Sequence, residues 1–245
     1  MSFASLLRIA ALALLLAFLL SPQSFAPLFA PLTRYGAPPI YDQGNLLSLA
    51  LAQLATVLCA ATASTLVAVG LGILVTRPAG AQFLPFSRTL VNIGQTFPPV
   101  AVLAVAVPLV GFGEKPTLIA LFAYGLLPIF ENTIAGLRSC PPAVLEAASG
   151  MGMSPTERLR RVELPIAMPL ILEGVRLSLV INVGTATIGS TVAAKGLGEV
   201  IIAGLLSSNT AFILQGGLVT GLMAVLLYDA LAGLERRLYP PVPLD

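Results

Sequence analysis

Six stretches of mainly apolar residues, near positions 5–21, 46–76, 82–111, 117–137, 166–192 and 212–234, take up most of this 245-residue chain. Crossing hydrocarbon takes about 20 such residues, because in lipid every backbone N–H and C=O must be satisfied within the segment. The second, third and fifth stretches exceed that length and predict helices that tilt or reach beyond the bilayer. With 57% hydrophobic residues, 10% charged residues, and neither histidine nor tryptophan, the chain cannot clothe a soluble globule in polar side chains. The sequence predicts an all-α membrane protein, a polytopic bundle of about six transmembrane helices with no room for a second domain.

Charge sets the orientation. With the N-terminus inside, Arg8, Arg77, Arg88, Arg138, Arg158, Arg160, Arg161, Arg176, Arg236 and Arg237 fall on cytoplasmic segments, and only Arg34, Lys115 and Lys195 fall outside. The positive-inside rule then puts both termini in the cytoplasm of a multi-pass protein in lipid. The formal net charge of +2 follows from that topology and gives no ground for nucleic-acid binding. Arg8, the apolar run to Leu20 and Ser24-Phe25-Ala26 fit either a retained first helix or a cleavable secretory signal. The chain divides into an N-terminal helix and external loop (1–45), a transmembrane domain (46–238) that includes a polar loop (138–165), and a short cytoplasmic tail (239–245).

Residues 22–45 are rich in proline and predict an external loop with little regular structure. Ala60, Ala61, Ala63, Ser64, Gly70 and Gly72, and in the last helix Gly217 and Gly221, are small enough for close helix approach. Pro98-Pro99, Pro108 and Pro128 should bend or break the middle helices. Asn92, Gln95 and Thr96 are spaced i, i+3, i+4, as are Thr187, Ser190 and Thr191, so each trio shares a helix face; Asn132 and Asn182 add amides. Such stripes either line a wet translocation path or stitch helices together. Four ionisable residues lie at membrane depth. Glu173 and Arg176 can pair at i, i+3; Asp229 lies near Arg236 and Arg237; Glu131 stands about two turns from Arg138.

Cys59, deep in the second stretch, and Cys140, in a loop, are too far apart for a disulfide. No His-Glu-x-x-His or Gly-x-Ser-Gly pattern occurs, and Tyr228-Asp229 lacks the partner aspartate an intramembrane protease would need. No catalytic residue, metal or cofactor is expected.

The polar loop breaks the apolar pattern most sharply. Pro141-Pro142 can open a short helix, which Gly150 and Gly152 end. Ser154-Pro155-Thr156-Glu157 fits a capping box with proline at the first helical position, and Pro165 should stop that second helix near Leu164. The reading is helix, glycine turn, helix, with Leu159 and Val162 on one side and Arg158 and Arg161 on another.

Glu146-Ala147-Ala148, then Gly152, then nine residues and Val162-x-Leu164-Pro165 resembles the EAA loop of permease subunits in bacterial ATP-binding-cassette importers, with valine where isoleucine is usual. The resemblance implies the type I importer permease fold. It also implies a coupling element made of Glu146, Ala147, Ala148 and Gly152, which docks on a cytoplasmic ATP-binding subunit. The implied partners are that subunit, a second permease subunit, identical or paralogous, and a periplasmic or extracellular solute-binding protein. The implied location is the bacterial inner membrane.

Gln95-Thr96-Phe97-Pro98, Leu127-Pro128-Ile129, Ile181 to Thr187 and Gly196-Leu197-Gly198-Glu199 are similar to permeases for osmoprotectants such as glycine betaine and choline. Glu131 departs from that pattern, where arginine is more usual, which leaves another small solute such as an amino acid open. A channel or carrier working without an ATPase is the remaining alternative; it would place its ionisable groups at the midplane. Residues 193–210, with three glycines, suit an external gate or docking surface. An aromatic cage for a quaternary ammonium group is expected on the binding protein, since the polar helices here carry no aromatic cluster.

Overall fold

The computed structural model of the chain describes residues 3–33 and 36–239, so Arg34 and most of the expected tail lie outside the described residues. Every regular element among the described residues is helical. They are α1 (Phe3–Leu20), α2 (Ala26–Phe29) between 3-10 turns Pro22–Phe25 and Ala30–Leu32, α3 (Leu46–Thr76), α4 (Leu84–Thr96), α5 (Pro99–Val110) and α6 (Glu114–Arg138). Then come α7 (Pro142–Gly150), α8 (Pro155–Arg158), α9 (Leu164–Ala186), α10 (Gly198–Leu206) and α11 (Thr210–Leu238).

Among the described residues, four helical runs are long and apolar enough to cross a membrane by themselves: α3, α6, the run from Pro155 to Val192, and α11. Two more spans arise if each of two bent pairs counts as one: Leu6–Leu20 with Pro22–Leu32, bent by 110°, and Ala81–Thr96 with Pro99–Val110, bent by 96°. Both bends trace to proline. Residues 22–32 are helical rather than irregular, because each short turn carries a proline in its first two positions, where the missing N–H costs no bond. At the second bend Phe97 and Pro98 each precede a proline and are extended, with ψ of 136° and 142°. Pro108 and Pro128, by contrast, sit inside continuous helices. Pro128 leaves the Tyr124 carbonyl without its helical donor, and Gln95 Nε2 supplies one at 2.8 Å.

The chain forms two compact units: Met1–Ala60, Pro98–Leu121 and Leu179–Ala230 make the first, and Ala61–Phe97, Phe122–Ser178 and Leu231–Asp245 the second. In the first unit two buried glutamines tie loops to helices. Gln53 donates to the Val183 carbonyl at 3.0 Å and accepts from the Leu197 amide at 2.9 Å, fixing the start of α10. Gln215 accepts from the Tyr41 amide at 3.1 Å and donates to the Pro39 carbonyl at 2.7 Å, so the extended segment before α3 is held on α11. α10 closes on the 3-10 turn Thr187–Val192 so tightly that a Cβ at Gly198 would lie 1.9 Å from the Thr187 carbonyl oxygen.

In the second unit α6 and α9 run antiparallel along a seam of small residues. A Cβ at Gly136 would lie 2.8 Å from the Ala167 carbonyl oxygen, and one at Gly174 would lie 2.7 Å from that of Pro128. Contact this close gives dispersion and polar packing where lipid offers no hydrophobic drive. Ala68, Val75, Val91, Ile129, Phe130 and Ile134 fill the core beside this seam. Gly72 of α3 meets Thr133 as a small residue should, but Gly70, Gly217 and Gly221 have no atom of the described chain within 4 Å of a Cβ position. In α11 the close approach is made by Gly216 against Ile201 instead.

Candidate functional site

The loop at 138–165 is built from its caps outward. α7 ends in a Schellman turn: the Met153 amide reaches the Ala148 carbonyl at 3.2 Å and the Gly152 amide reaches that of Ser149 at 3.0 Å. The turn needs Gly152, whose φ of +78° an L side chain rarely adopts. Ser154 then caps α8 with both halves of a capping box in place: the Glu157 amide donates to Ser154 Oγ, and the Ser154 amide to Glu157 Oε2. The helix does not stop near Leu164 as Pro165 suggested. It passes through a π turn, Leu159–Glu163, in which the Leu164 amide reaches back five residues to the Leu159 carbonyl, and continues directly as α9. Pro165 follows directly behind that π turn, as the second residue of α9.

Exposure divides the motif. Ala148 is buried, whereas Glu146 and Ala147 are exposed, and Val144 and Met151 extend the same face of the loop with exposed apolar side chains. Val162 and Leu164 are half-buried and Pro165 is exposed. Leu159 and Leu164 pack on the cluster of Leu137, Ala167 and Ile171, which anchors the loop to α6 and α9.

A second anchor is polar. Glu163, buried to 4% exposure, accepts from Arg77 Nη2 at 2.6 Å and from Arg158 Nε at 3.1 Å. Arg158 Nη1 goes on to Ser149 Oγ at 3.0 Å. Arg158 is therefore an internal link rather than a solvated charge beside Arg161. Burial, and next the Glu163 carboxylate, push the Cys140 thiol above its usual range, with Arg158 working the other way.

The residues expected along a path divide between the units. In the second unit Asn92 and Thr96 are exposed on α4, with Asn92 Nδ2 donating to the Arg88 carbonyl and Thr96 Oγ1 to that of Asn92. Gln95 serves the Tyr124 carbonyl, and Asn132 Nδ2 donates to the Pro128 carbonyl at 2.8 Å. In the first unit Asn182 is fully buried, and neither of its amide atoms has a hydrogen-bond partner among the described residues. Thr187, Ser190 and Thr191 lie in a 3-10 turn rather than an α-helix, so the i, i+3, i+4 spacing does not put them on one face. Their hydroxyls bond the carbonyls of Gly184, Ala194 and Ile188.

Among the deep charges, Arg176 pairs with Glu173 as the spacing suggests and also with Glu235 at 3.1 Å. Glu131 is held by Arg88, not by Arg138, through two contacts of 2.6 and 2.8 Å. Asp229 pairs with Arg8 at 3.1 Å rather than with Arg236 or Arg237. Sequence reasoning passed over Glu163 and Arg77. The available signal was an acid inside the apolar run Val162-Glu163-Leu164, which can be buried there only if cations meet it.

Residues 68–240 match the family described as binding-protein-dependent transport system inner membrane component. The osmoprotectant import permease protein OsmY of Salmonella typhimurium is 43% identical over 175 residues, covering 71% of this chain and 74% of that one. The choline transport system permease protein OpuBB of Bacillus subtilis is 39% identical over 182 residues, covering 72% and 84%. A glycine betaine/carnitine/choline permease of the same organism, OpuCD, is 42% identical over 178 residues, covering 72% and 77%. Among solved structures, an inward-facing MetNI methionine ABC transporter aligns with a TM-score of 0.70 at 22% identity, over 79% of this chain and 95% of that one. An amino acid ABC transporter aligns at 0.66 and 18% identity, over 89% and 98%. At those identities the likeness is one of fold.

Proposed function

The chain belongs to the family of inner membrane components of binding-protein-dependent transport systems, and from that premise we propose that it carries quaternary-ammonium osmoprotectants such as glycine betaine, choline or carnitine. It is a transporter subunit and not an enzyme: in such systems a separate ATP-binding subunit hydrolyses ATP. The observation that carries the coupling mechanism is the loop geometry. α7 presents Glu146, Ala147 and Met151 outward while Ala148, Leu159 and Leu164 are held down, giving a short helix that stands on the bundle with one free face. A small-residue face lets an ATPase surface close on it, and Glu146 offers a carboxylate to a basic group there.

In this reading the loop and both termini face the cytoplasm. ATP-driven closure of two ATPases around two permease subunits tilts the helices between inward-facing and outward-facing states, and the loaded binding protein favours the outward-facing one. Asn92 and Thr96, exposed polar groups one turn apart on α4, support a wet surface or a partner subunit on that face of the helix.

The test is uptake of radiolabelled glycine betaine by proteoliposomes holding this permease, its ATPase subunit and its binding protein. Uptake should require ATP and both partners, and Gly152→Arg should abolish it while the complex stays in the membrane. Uptake without the ATPase refutes the transporter class proposed here, and full uptake by Gly152→Arg refutes the role of the loop.

A further inference from the structure

We propose that Glu163 is the link through which displacement of α7 reaches the end of α3, making it a positioning residue for energy coupling; the proposal rests on the transporter reading above. The geometry is a continuous polar chain: Ser149 on α7, Arg158 on α8, Glu163 in the π turn, and Arg77 just past the C-terminal end of α3. Both carboxylate oxygens are used, one by each guanidinium.

Three features separate this chain from an incidental surface pair. Glu163 is 4% exposed, and a buried ion pair is weak evidence of net stability, because desolvation offsets most of the attraction and an apolar side chain would fill the place as well. The π turn has its own cost and adds a residue to the helix, which rotates the residues after it by about 100° relative to an unbroken α-helix. That turn is what brings Glu163 beside Arg158, five residues earlier, instead of exposed Arg160, three residues earlier. Finally, the apolar anchor of the loop reaches α6, α9 and the flank of α3 at Val69 and Ile73, whereas the polar chain is a directed contact to Arg77, just past the C-terminal end of α3. α3 runs unbroken for 31 residues, and a displacement received at Arg77 is carried along its length. A directional chain of charge-assisted hydrogen bonds transmits both push and pull, which an oily contact does not.

The experiment compares wild type, Glu163→Gln, Arg77→Gln and the exchange Arg77→Glu with Glu163→Arg, each reconstituted with the ATPase and the binding protein. It reads co-purification of the ATPase, basal ATP hydrolysis, and glycine betaine moved per ATP. Both single variants should retain co-purification and basal hydrolysis while transport per ATP falls about tenfold, a typical coupling between sites, and the exchange should recover part of the loss. Wild-type stoichiometry in either single variant overturns the proposal. Loss of co-purification in both also overturns it, because the residues would then serve only to fold the loop. Absence of ATP-dependent uptake in the wild type would instead sink the transporter reading itself.

Discussion

Gly152→Ala adds a methyl group to open space: no atom lies within 4 Å of the Cβ position, so the substitution opposes only the backbone φ of +78°. Holding an L residue in the left-handed region costs about 1 kcal/mol. The amides that report this are those of Met151 and Met153, bonded to the Ala147 and Ala148 carbonyls across the turn. A cost of about 1 kcal/mol raises their opening equilibrium about fivefold, and native-state hydrogen exchange should show their protection falling by that factor. Gly150 provides the internal control. It is the last residue of α7, has equally open space at its Cβ position and lacks a positive φ. Gly150→Ala should therefore raise protection of the same amides, by about 0.5 kcal/mol at a helix end. Effects of the same sign at two glycines two residues apart would refute the assignment of Gly152 as the conformational pivot. Unchanged protection in Gly152→Ala would refute the Schellman turn itself.

Two further outcomes rest on particular contacts. Gln95→Leu leaves the carbonyl freed by Pro128 without a donor and should cost about 1–3 kcal/mol in thermal unfolding of the purified protein, whereas Thr96→Val, whose hydroxyl bonds a carbonyl of its own helix, should cost far less. Equal, small effects would show that Gln95 does not cap that carbonyl. With Cys59 replaced by alanine, buried Cys140 should react with a maleimide much more slowly than an exposed cysteine placed at Ser139, since a raised thiol pKa means less thiolate at a given pH. Glu163→Gln removes a charge that raises that pKa and should speed the reaction; slower or unchanged labelling would contradict the proximity of the two groups.

The elements governed by short-range chemistry were legible in the sequence. The capping box at Ser154, the glycine reversal at Gly152, the proline-opened α7 and the break at Pro98-Pro99 all depend on residues within one turn of each other, and the structure has each of them. Pro165 shows where such rules stop. A proline ends a helix when its ring meets the carbonyl four residues back, but the π turn in front of it widens the backbone, and the helix runs through. Nothing local announces a π turn, because it is stabilised by what its rotated side chains reach: here Arg77, 86 residues earlier in the chain. The same limit applies to Thr187, Ser190 and Thr191, whose common face exists only if the α-helix persists beyond Ala186.

Charges in the apolar stretches obey a rule that local reading applies only halfway. An acid with a base three or four residues away can settle on its own helix, and Glu173 with Arg176 does so. Glu131 and Asp229 have no Lys or Arg at those spacings, and a base two turns away stands about 10 Å along the axis, too far for contact. Leaving them unpaired in hydrocarbon is costly, so their partners had to come from other helices. With only 13 Lys and Arg in the chain, candidates were few, and the structure supplies Arg88 from α4 and Arg8 from α1. Glu163 is the instructive exception: Arg160 stands at the permitted spacing of three, yet the π turn swings the carboxylate to Arg158 and Arg77. A carboxylate drawn away from an available neighbour and into a buried contact with a distant helix end is what a mechanical link requires, and local stability alone does not call for it.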